Sequence, residues 1–168
     1  MVQGIIIPAS DARDMHTIEL EEVGDNHKAV GGWIEAVDIP DLGVTMYVNE
    51  EGLIRDLPYN RRATFLCRFH VPPARDARLV GDVVVVGLTD DEGESTELPK
   101  DLRQGLLEPG IYRVLTRERV GSPWREEPID RDDYVETVIW AAILEEMSSI
   151  LEVQIERVDG STDENNRP

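Results

Sequence analysis

The run of four valines at positions 83–86 constrains the fold of this chain more than any other feature. β-Branched residues favour strands, and a strand that is apolar at consecutive positions is buried on both faces. Such a strand lies at the centre of a sheet. Gly81 and Asp82 precede the valines as a turn that leads into the strand. The sequence therefore predicts a central strand over Val83–Val86.

Alternating or short apolar runs predict the rest of a sheet around this strand. The predicted strands are residues 2–7, 16–21, 33–39, 44–48, 111–115 and 152–158. The Gly-containing link 40–43 predicts an antiparallel hairpin between two of them. Helical patterns occur at 25–30, 60–70 and 99–107, with Asn60 as a good N-cap. The longest predicted helix covers about 131–150, where apolar residues recur at three and four and Asp130 is a candidate cap.

These elements predict the fold class and the domain organisation. We expect an α+β fold with a mostly antiparallel sheet and two or three helices. The chain has 168 residues, which suits one domain. We therefore expect a single α+β domain over residues 1–159, followed by a polar, disordered tail at 160–168.

The balance of charge restricts the partners of this chain. Seventeen Lys and Arg face thirty-five Asp and Glu, a net charge of −18. Phosphate groups are bound by basic surfaces, so we expect no direct binding of nucleic acid and none of an anionic membrane. A basic partner protein is the expected complement. The chain shows no secretory signal and no apolar stretch long enough to span a membrane, so we expect a cytoplasmic protein.

Motifs for catalysis, metals and cofactors are missing from the sequence. Cys67 and His70 lie three residues apart, but zinc needs further ligands that are not evident. The acidic run 90–97 lacks the ligand spacing of a calcium loop, and no phosphate-binding glycine loop or nucleophile signature occurs. We expect no metal, no cofactor and no catalytic residues, which leaves enzymatic activity uncertain but disfavoured. Cys67 is expected to be buried, and His70 to be a charged residue at a helix end.

Two sets of charged residues are the candidate binding residues. The acidic set combines Asp90, Asp91, Glu92, Glu94, Glu97, Glu126, Glu127, Asp132, Asp133 and Glu136, and Glu19, Glu21 and Glu22 extend it. Arg61, Arg62 and Arg68 form a local basic island on an otherwise acidic protein. Cations at a helix start are unusual because they oppose the helix dipole. The island is predicted to be either a solvated or ion-paired face, or a contact for an anion or an acidic partner.

The middle of the chain resembles a known family. The segments that carry the resemblance are 30–37 (VGGWIEAV), 46–52 (MYVNEEG), 57–64 (LPYNRRAT) and 81–87 (GDVVVVG). Together they are similar to domain-of-unknown-function family 3846, which is found in actinobacteria and their phages, over about residues 30–99. The resemblance implies a small cytoplasmic protein encoded by a phage or mobile element. The resemblance does not indicate which activity the protein has, and it does not identify catalytic residues.

The sequence is compatible with three functions. The first is a non-catalytic protein that binds and modulates a basic host protein, in its sharper form by imitating the charge of a nucleic acid. The second is a domain or enzyme that binds an anionic small molecule at the basic island, near Tyr47, Tyr59 and Asn60. The third is a structural homo-oligomer formed through the C-terminal helix, with Trp140 and Met147 at its surface.

Overall fold

The structure is a computed structural model that describes residues 1–147, 149–150 and 152–159. Two compact units divide the chain, residues 1–107 (unit 1) and residues 108–168 (unit 2), and each is described by itself. The single domain expected over residues 1–159 stays a prediction. The tail expected at 160–168 lies outside the described residues.

Unit 1 is built on one antiparallel sheet. Its strands are β1 (Val2–Ile7), β2 (His16–Leu20), β3 (Ile34–Ile39), β4 (Val44–Asn49), β5 (Val83–Thr89) and β6 (Ser95–Thr96). The strand order is β2-β1-β5-β4-β3, and the short β6 also pairs with β5. Strands β3 and β4 form the hairpin that the link at 40–43 predicts, with Ile39 opposite Val44 at its closed end.

The valines hold β5 at the centre of this sheet, as predicted. Each side chain of Val83–Val86 is no more than 1% exposed. Val84 and Val86 pack in one cluster with Leu20 and Val30. Helix α1 (Val23–Val30) therefore covers that face. The other two valines point to the opposite face, because side chains alternate along a strand.

Two further helices belong to unit 1, α2 (Arg61–His70) and α3 (Lys100–Leu107). Helix α2 begins after Asn60, as predicted, and the Asn60 Oδ1 atom accepts a hydrogen bond from the Ala63 N–H at 3.0 Å. A side-chain acceptor at this position satisfies one of the free N–H groups of the first turn. Cys67 on this helix is 1% exposed, which confirms the prediction that it is buried.

Unit 2 contains a second antiparallel sheet and one helix. Its elements are β7 (Tyr112–Arg117), β8 (Arg125–Glu126), α4 (Tyr134–Glu145) and β9 (Glu152–Arg157), with the strand order β8-β7-β9. Helix α4 packs on β7 and β9. Val114, Val135 and Val138 are buried in this unit.

Helix α4 is the longest helix described, as predicted, but it is shorter than 131–150 at both ends. It begins after Asp133, whose carboxylate accepts from the Glu136 N–H at 2.9 Å. Asp130, the predicted cap, instead binds the Arg113 guanidinium at 3.0 Å.

The fold class is α+β with mostly antiparallel sheets, as predicted. The described residues contain four α-helices rather than two or three. None of these helices has the length and apolar character needed to cross a membrane.

Candidate functional site

The topology of unit 1 gathers eight residues of the predicted acidic set at one end of the sheet. Val2 of β1 lies opposite Leu20, the last residue of β2. Strand β1 also runs antiparallel to β5, so the start of β1 and the end of β5 lie at the same end. We call this surface the carboxylate-rich end. Its members are Glu19, Glu21, Glu22, Asp90, Asp91, Glu92, Glu94 and Glu97, and all eight are exposed.

Gln3 joins two of these carboxylates across the sheet. Its side-chain Nε2 donates to Glu19 Oε1 at 2.7 Å, and its backbone N–H donates to Glu97 Oε1 at 3.3 Å. One neutral residue of β1 thus holds acidic side chains from β2 and from the segment after β6. Gln3 was not among the residues predicted from the sequence. Its only signal was a polar residue inside an apolar strand.

The turn between β5 and β6 is ordered by its own first carboxylate. Asp90 Oδ1 accepts hydrogen bonds from the N–H groups of Glu92 at 2.9 Å and Glu94 at 3.0 Å. Aspartate side chains commonly close turns in this way. The side chains of Asp91, Glu92 and Glu94 remain exposed, so the turn presents carboxylates on a fixed backbone.

Asp25 fixes the other side of the carboxylate-rich end. Its Oδ2 atom accepts from the N–H groups of Glu21 at 2.9 Å and Glu22 at 3.1 Å. These two bonds hold the pKa of the Asp25 carboxyl below its usual range. The carboxylate therefore stays charged and anchors the chain between β2 and α1.

The other five residues of the predicted acidic set lie in unit 2. They occupy β8, the segment that leads into α4 and the first turn of α4, and they are Glu126, Glu127, Asp132, Asp133 and Glu136. Glu126 forms an ion pair with Arg113 at 3.3 Å, and Asp133 caps the helix. The bond from Arg113 also lowers the pKa of Asp130. Several acidic groups here are therefore engaged within unit 2, whereas the corresponding groups of the β5–β6 turn point to solvent.

Arg62 of the predicted basic island is turned into the protein. It is 9% exposed. Its Nη2 atom lies within hydrogen-bond distance of three backbone carbonyls, those of Pro8 (2.8 Å), Ser10 (2.9 Å) and Arg13 (2.9 Å). The guanidinium therefore anchors the loop between β1 and β2 to helix α2.

The other two arginines of the island also contact neighbouring segments. Arg61 lies 3.5 Å from an Asp11 carboxylate oxygen. Arg68 donates from Nε to the Ala77 carbonyl at 2.8 Å and stands over the Phe65 ring. These contacts match the ion-paired alternative for the island. Its role in binding an anion or an acidic partner stays a prediction.

A groove of about 270 Å³ lies on the face of the sheet opposite α1. Val37 and Val48 form part of its floor, Cys67 of α2 reaches it, and Glu35, Glu50 and Arg78 add charged groups. The segment 74–80 forms another wall. None of Arg61, Arg62 and Arg68 is among the lining residues, and neither are Tyr47, Tyr59 and Asn60. Burial raises the pKa of the Cys67 thiol. This groove was not predicted from the sequence, because its walls are far apart in the chain.

His70 differs from its expected role as a charged residue at the end of α2. Burial lowers its pKa to about 4. The imidazole is therefore neutral at pH 7, and its Nε2 atom is buried without a hydrogen-bond partner among the described residues. Within the described part of the chain, no group of three or more His, Cys, Asp or Glu side chains is arranged to hold a metal ion.

Unit 1 is thus an antiparallel-sheet α+β unit with acidic side chains at one end and a groove near one edge. The family model "Domain of unknown function (DUF3846)" matches residues 3–109, and the chain belongs to this family. The resemblance predicted at 30–99 is confirmed, and the match extends beyond it to cover nearly all of unit 1. Searches of curated proteins and of solved structures found no match.

Proposed function

We propose that this protein is a non-catalytic binding protein that engages a basic protein through its carboxylate-rich end. The observation that carries the proposal is the convergence of eight exposed carboxylates from β2, the segment after β2, the β5–β6 turn and the segment after β6. Opposite charge on two surfaces steers their encounter and favours one partner over another. The net charge of −18 acts in the same direction over longer distances.

The hydrogen bonds beneath these carboxylates support a binding role. Gln3 holds Glu19 and Glu97, and Asp90 orders the turn that carries Glu92 and Glu94. A preorganised set of charges loses little conformational freedom on binding, which favours affinity. Carboxylates that lay on a mobile segment would lose this advantage.

In its sharper form, the proposal is that the carboxylates occupy a groove in which the partner normally holds nucleic-acid phosphates. The partner would then be a DNA- or RNA-handling protein of the host cell, and this protein a phage or mobile-element product that modulates it. The basic surfaces of such partners bind through phosphate neutralisation and depend steeply on salt. Binding to a charge mimic would share that dependence.

The test uses the full chain and two variants, each with four substitutions that replace a carboxylate by the neutral amide. The test variant carries Asp91→Asn, Glu92→Gln, Glu94→Gln and Glu97→Gln. The matched control carries Asp14→Asn, Glu51→Gln, Asp56→Asn and Asp76→Asn, all at exposed positions outside the carboxylate-rich end. Both variants have the same net charge.

Immobilised wild-type chain would first capture proteins from an actinobacterial lysate at 50 mM NaCl, for identification by mass spectrometry. The identified protein would then be purified and its Kd measured. We expect a basic protein that binds the wild type and the control equally and the test variant at least tenfold more weakly. We also expect duplex DNA or RNA to compete with the chain for this protein. Capture of no basic protein, or equal weakening by both variants, would contradict the proposal.

A further inference from the structure

The outer edge of β3 offers a row of backbone groups for another strand. Strand β3 is the last in the order β2-β1-β5-β4-β3. The Glu50 N–H donates to the Trp33 carbonyl at 2.8 Å, and the register continues regularly from Ile34 opposite Asn49. In an antiparallel pair, hydrogen-bonded and non-hydrogen-bonded residues alternate. The N–H and C=O groups of Ile34, Ala36 and Asp38 therefore point away from β4.

These edge groups are accessible in the described part of the chain. Ala36 and Asp38 are exposed, and Ile34 is half-buried. Unpaired edge groups are a ready template for an added strand, and many proteins bind extended peptides in this way. The edge of β3 therefore provides three N–H and three C=O groups in one line.

The groove beside this edge provides contacts for side chains. Glu35 and Val37 of β3 line it. Side chains of an added strand alternate between the two faces of the sheet. Every second residue of that strand would therefore project on the same face as Glu35 and Val37, next to the apolar floor that Val48 and Cys67 complete.

Exposed apolar side chains extend this surface at the start of β3. Trp33 is 68% exposed, Leu53 67% and Ile54 89%. The hydrogen bond between Glu50 and Trp33 holds the turn that carries Leu53 and Ile54 beside the start of β3. Large apolar side chains grouped at a surface mark interaction sites more often than single ones do.

The charges around the edge indicate which segment it fits. Glu35, Asp38 and Glu50 are exposed carboxylates on or beside the edge and the groove. Arg78 is the opposing cation in the lining, and its guanidinium stands 5.2 Å from the centre of the Tyr59 ring. The edge is therefore net negative. Pairing with β3 of a second copy would bring Glu35 and Asp38 of both chains into one interface, which like-charge repulsion disfavours.

We propose that the free edge of β3 and the adjacent groove bind an extended segment of a partner protein, with aliphatic residues alternating with lysine or arginine. The segment adds to the sheet as a further strand. Its aliphatic side chains contact the groove. Its cations project on the other face of the sheet, where Asp38 lies, and Glu35 and Glu50 on the groove face add to the negative potential that attracts a basic segment. This inference goes beyond binding at the carboxylate-rich end, because it rests on backbone pairing and apolar contact rather than on charge alone.

The test uses the full, ¹⁵N-labelled chain and a synthetic peptide, acetyl-Lys-Val-Lys-Val-Lys-Val-Lys-amide, in 150 mM NaCl. Amide hydrogen exchange is measured residue by residue. We expect saturating peptide to slow exchange at Ile34, Ala36 and Asp38 at least tenfold, because these N–H groups gain acceptors. Exchange on β2, the other edge of the sheet, is expected to stay unchanged. The corresponding Glu-Val peptide should cause no protection at β3. Lys-Val peptides N-methylated either at the lysines or at the valines are compared, and the one whose methyl groups meet the edge should cause no protection, because only alternate N–H groups face β3.

Two substitutions at position 36 distinguish backbone pairing with β3 from electrostatic attraction alone. Ala36→Pro removes one outward N–H, and proline is tolerated at sheet edges. Ala36→Val keeps that N–H and suits a strand. We expect the proline variant to bind the Lys-Val peptide at least tenfold more weakly than the valine variant, with equal thermal midpoints for both. If the proline variant has a markedly lower thermal midpoint, its weaker binding could result from lost stability. The test then depends on the exchange pattern of the valine variant and on the N-methylated peptides.

Other outcomes would overturn the inference. The inference is wrong if protection is confined to β2, or if the acidic peptide binds as tightly as the Lys-Val peptide. It is also wrong if light scattering shows a dimer in which β3 is already protected without peptide. The four-carboxylate variant used for the carboxylate-rich end provides the independent control. It should bind the Lys-Val peptide at β3 like the wild type, so failure of one proposal is distinguishable from failure of the other.

Discussion

The side-chain amide of Asn60 donates a hydrogen bond of 2.8 Å to the carbonyl oxygen of Ile7, 53 positions earlier in the chain. The same Nδ2 group donates to the Gly81 carbonyl at 2.9 Å. Its Oδ1 atom accepts from the Ala63 N–H. One fully buried residue therefore joins the end of β1, the segment before β5 and the start of α2.

We expect Asn60→Ala to lower the free energy of unfolding by about 3 kcal/mol or more, since it removes a helix cap and both donated bonds to the buried carbonyl groups of Ile7 and Gly81. Asn60→Asp keeps the cap acceptor but loses both donors and sets a charge against two carbonyl oxygens. It should therefore be no more stable than the alanine variant. Urea unfolding followed by circular dichroism measures both. An aspartate variant close to the wild type in stability would show that the two donated bonds contribute little.

Arg62 provides a second long-range anchor. We expect Arg62→Lys to lower the free energy of unfolding by roughly 2 kcal/mol, because the shorter lysine side chain does not reach the position of Nη2, the atom that contacts the carbonyls of Pro8, Ser10 and Arg13. The loop at 8–14 should also become more accessible to proteases. Arg61→Lys, at the more exposed neighbouring position, is the matched control and should change both readings little. Equal effects of the two substitutions would contradict the anchoring role.

The sequence predicted those elements whose signals are local. Consecutive valines identified β5, and Asn60 identified the start of α2. The start of α4 was misplaced because two aspartates suit a cap equally well in sequence. Asp130 is occupied by Arg113, 17 positions away, which leaves Asp133 as the cap. Long-range pairing of this kind has no local sequence signal.

Contacts between residues far apart in the chain could not be predicted at the candidate site either. The acidic residues were visible in the sequence, but Gln3, which joins two of them, is neutral and lies within an apolar run. Arg62 was treated as one cation among three, and only its packing shows that it is buried. His70 was expected to be charged because helix ends favour cations, but burial outweighs that effect.

Gly87 is expected to determine the position of the acidic turn. A Cβ atom at this position would lie 2.7 Å from the Thr96 carbonyl oxygen and closer still to the Glu97 carbonyl oxygen. Gly87→Ala should therefore separate β6 from β5 and lower the free energy of unfolding by about 1–3 kcal/mol. Exchange of the Thr96 amide and urea unfolding measure the two effects. At Gly24 a Cβ would meet nothing within 4 Å, so Gly24→Ala should be neutral or stabilising. Unchanged stability in Gly87→Ala would mean that the two strands can move apart without cost.

His70 should make the stability of the protein depend on pH. Its pKa is about 4 in the folded state because of burial, and about 6.5 in an unfolded chain. As pH falls below 6.5, the unfolded state takes up a proton while the folded state remains neutral. Stability attributable to His70 is therefore complete above pH 6.5 and is lost as pH falls towards 4, by about 2 kcal/mol at pH 5.

The measurement compares urea unfolding of the wild type and His70→Gln at pH 7 and pH 5. Glutamine does not titrate, so the loss of stability between these pH values should be about 2 kcal/mol smaller in the variant. Carboxylates that titrate near pH 5 contribute equally to both proteins and cancel in the difference. His16→Gln, at an exposed position, should retain the full wild-type loss. If His70→Gln retained it as well, another group would be responsible, and His70 would be accessible to protons in the folded state.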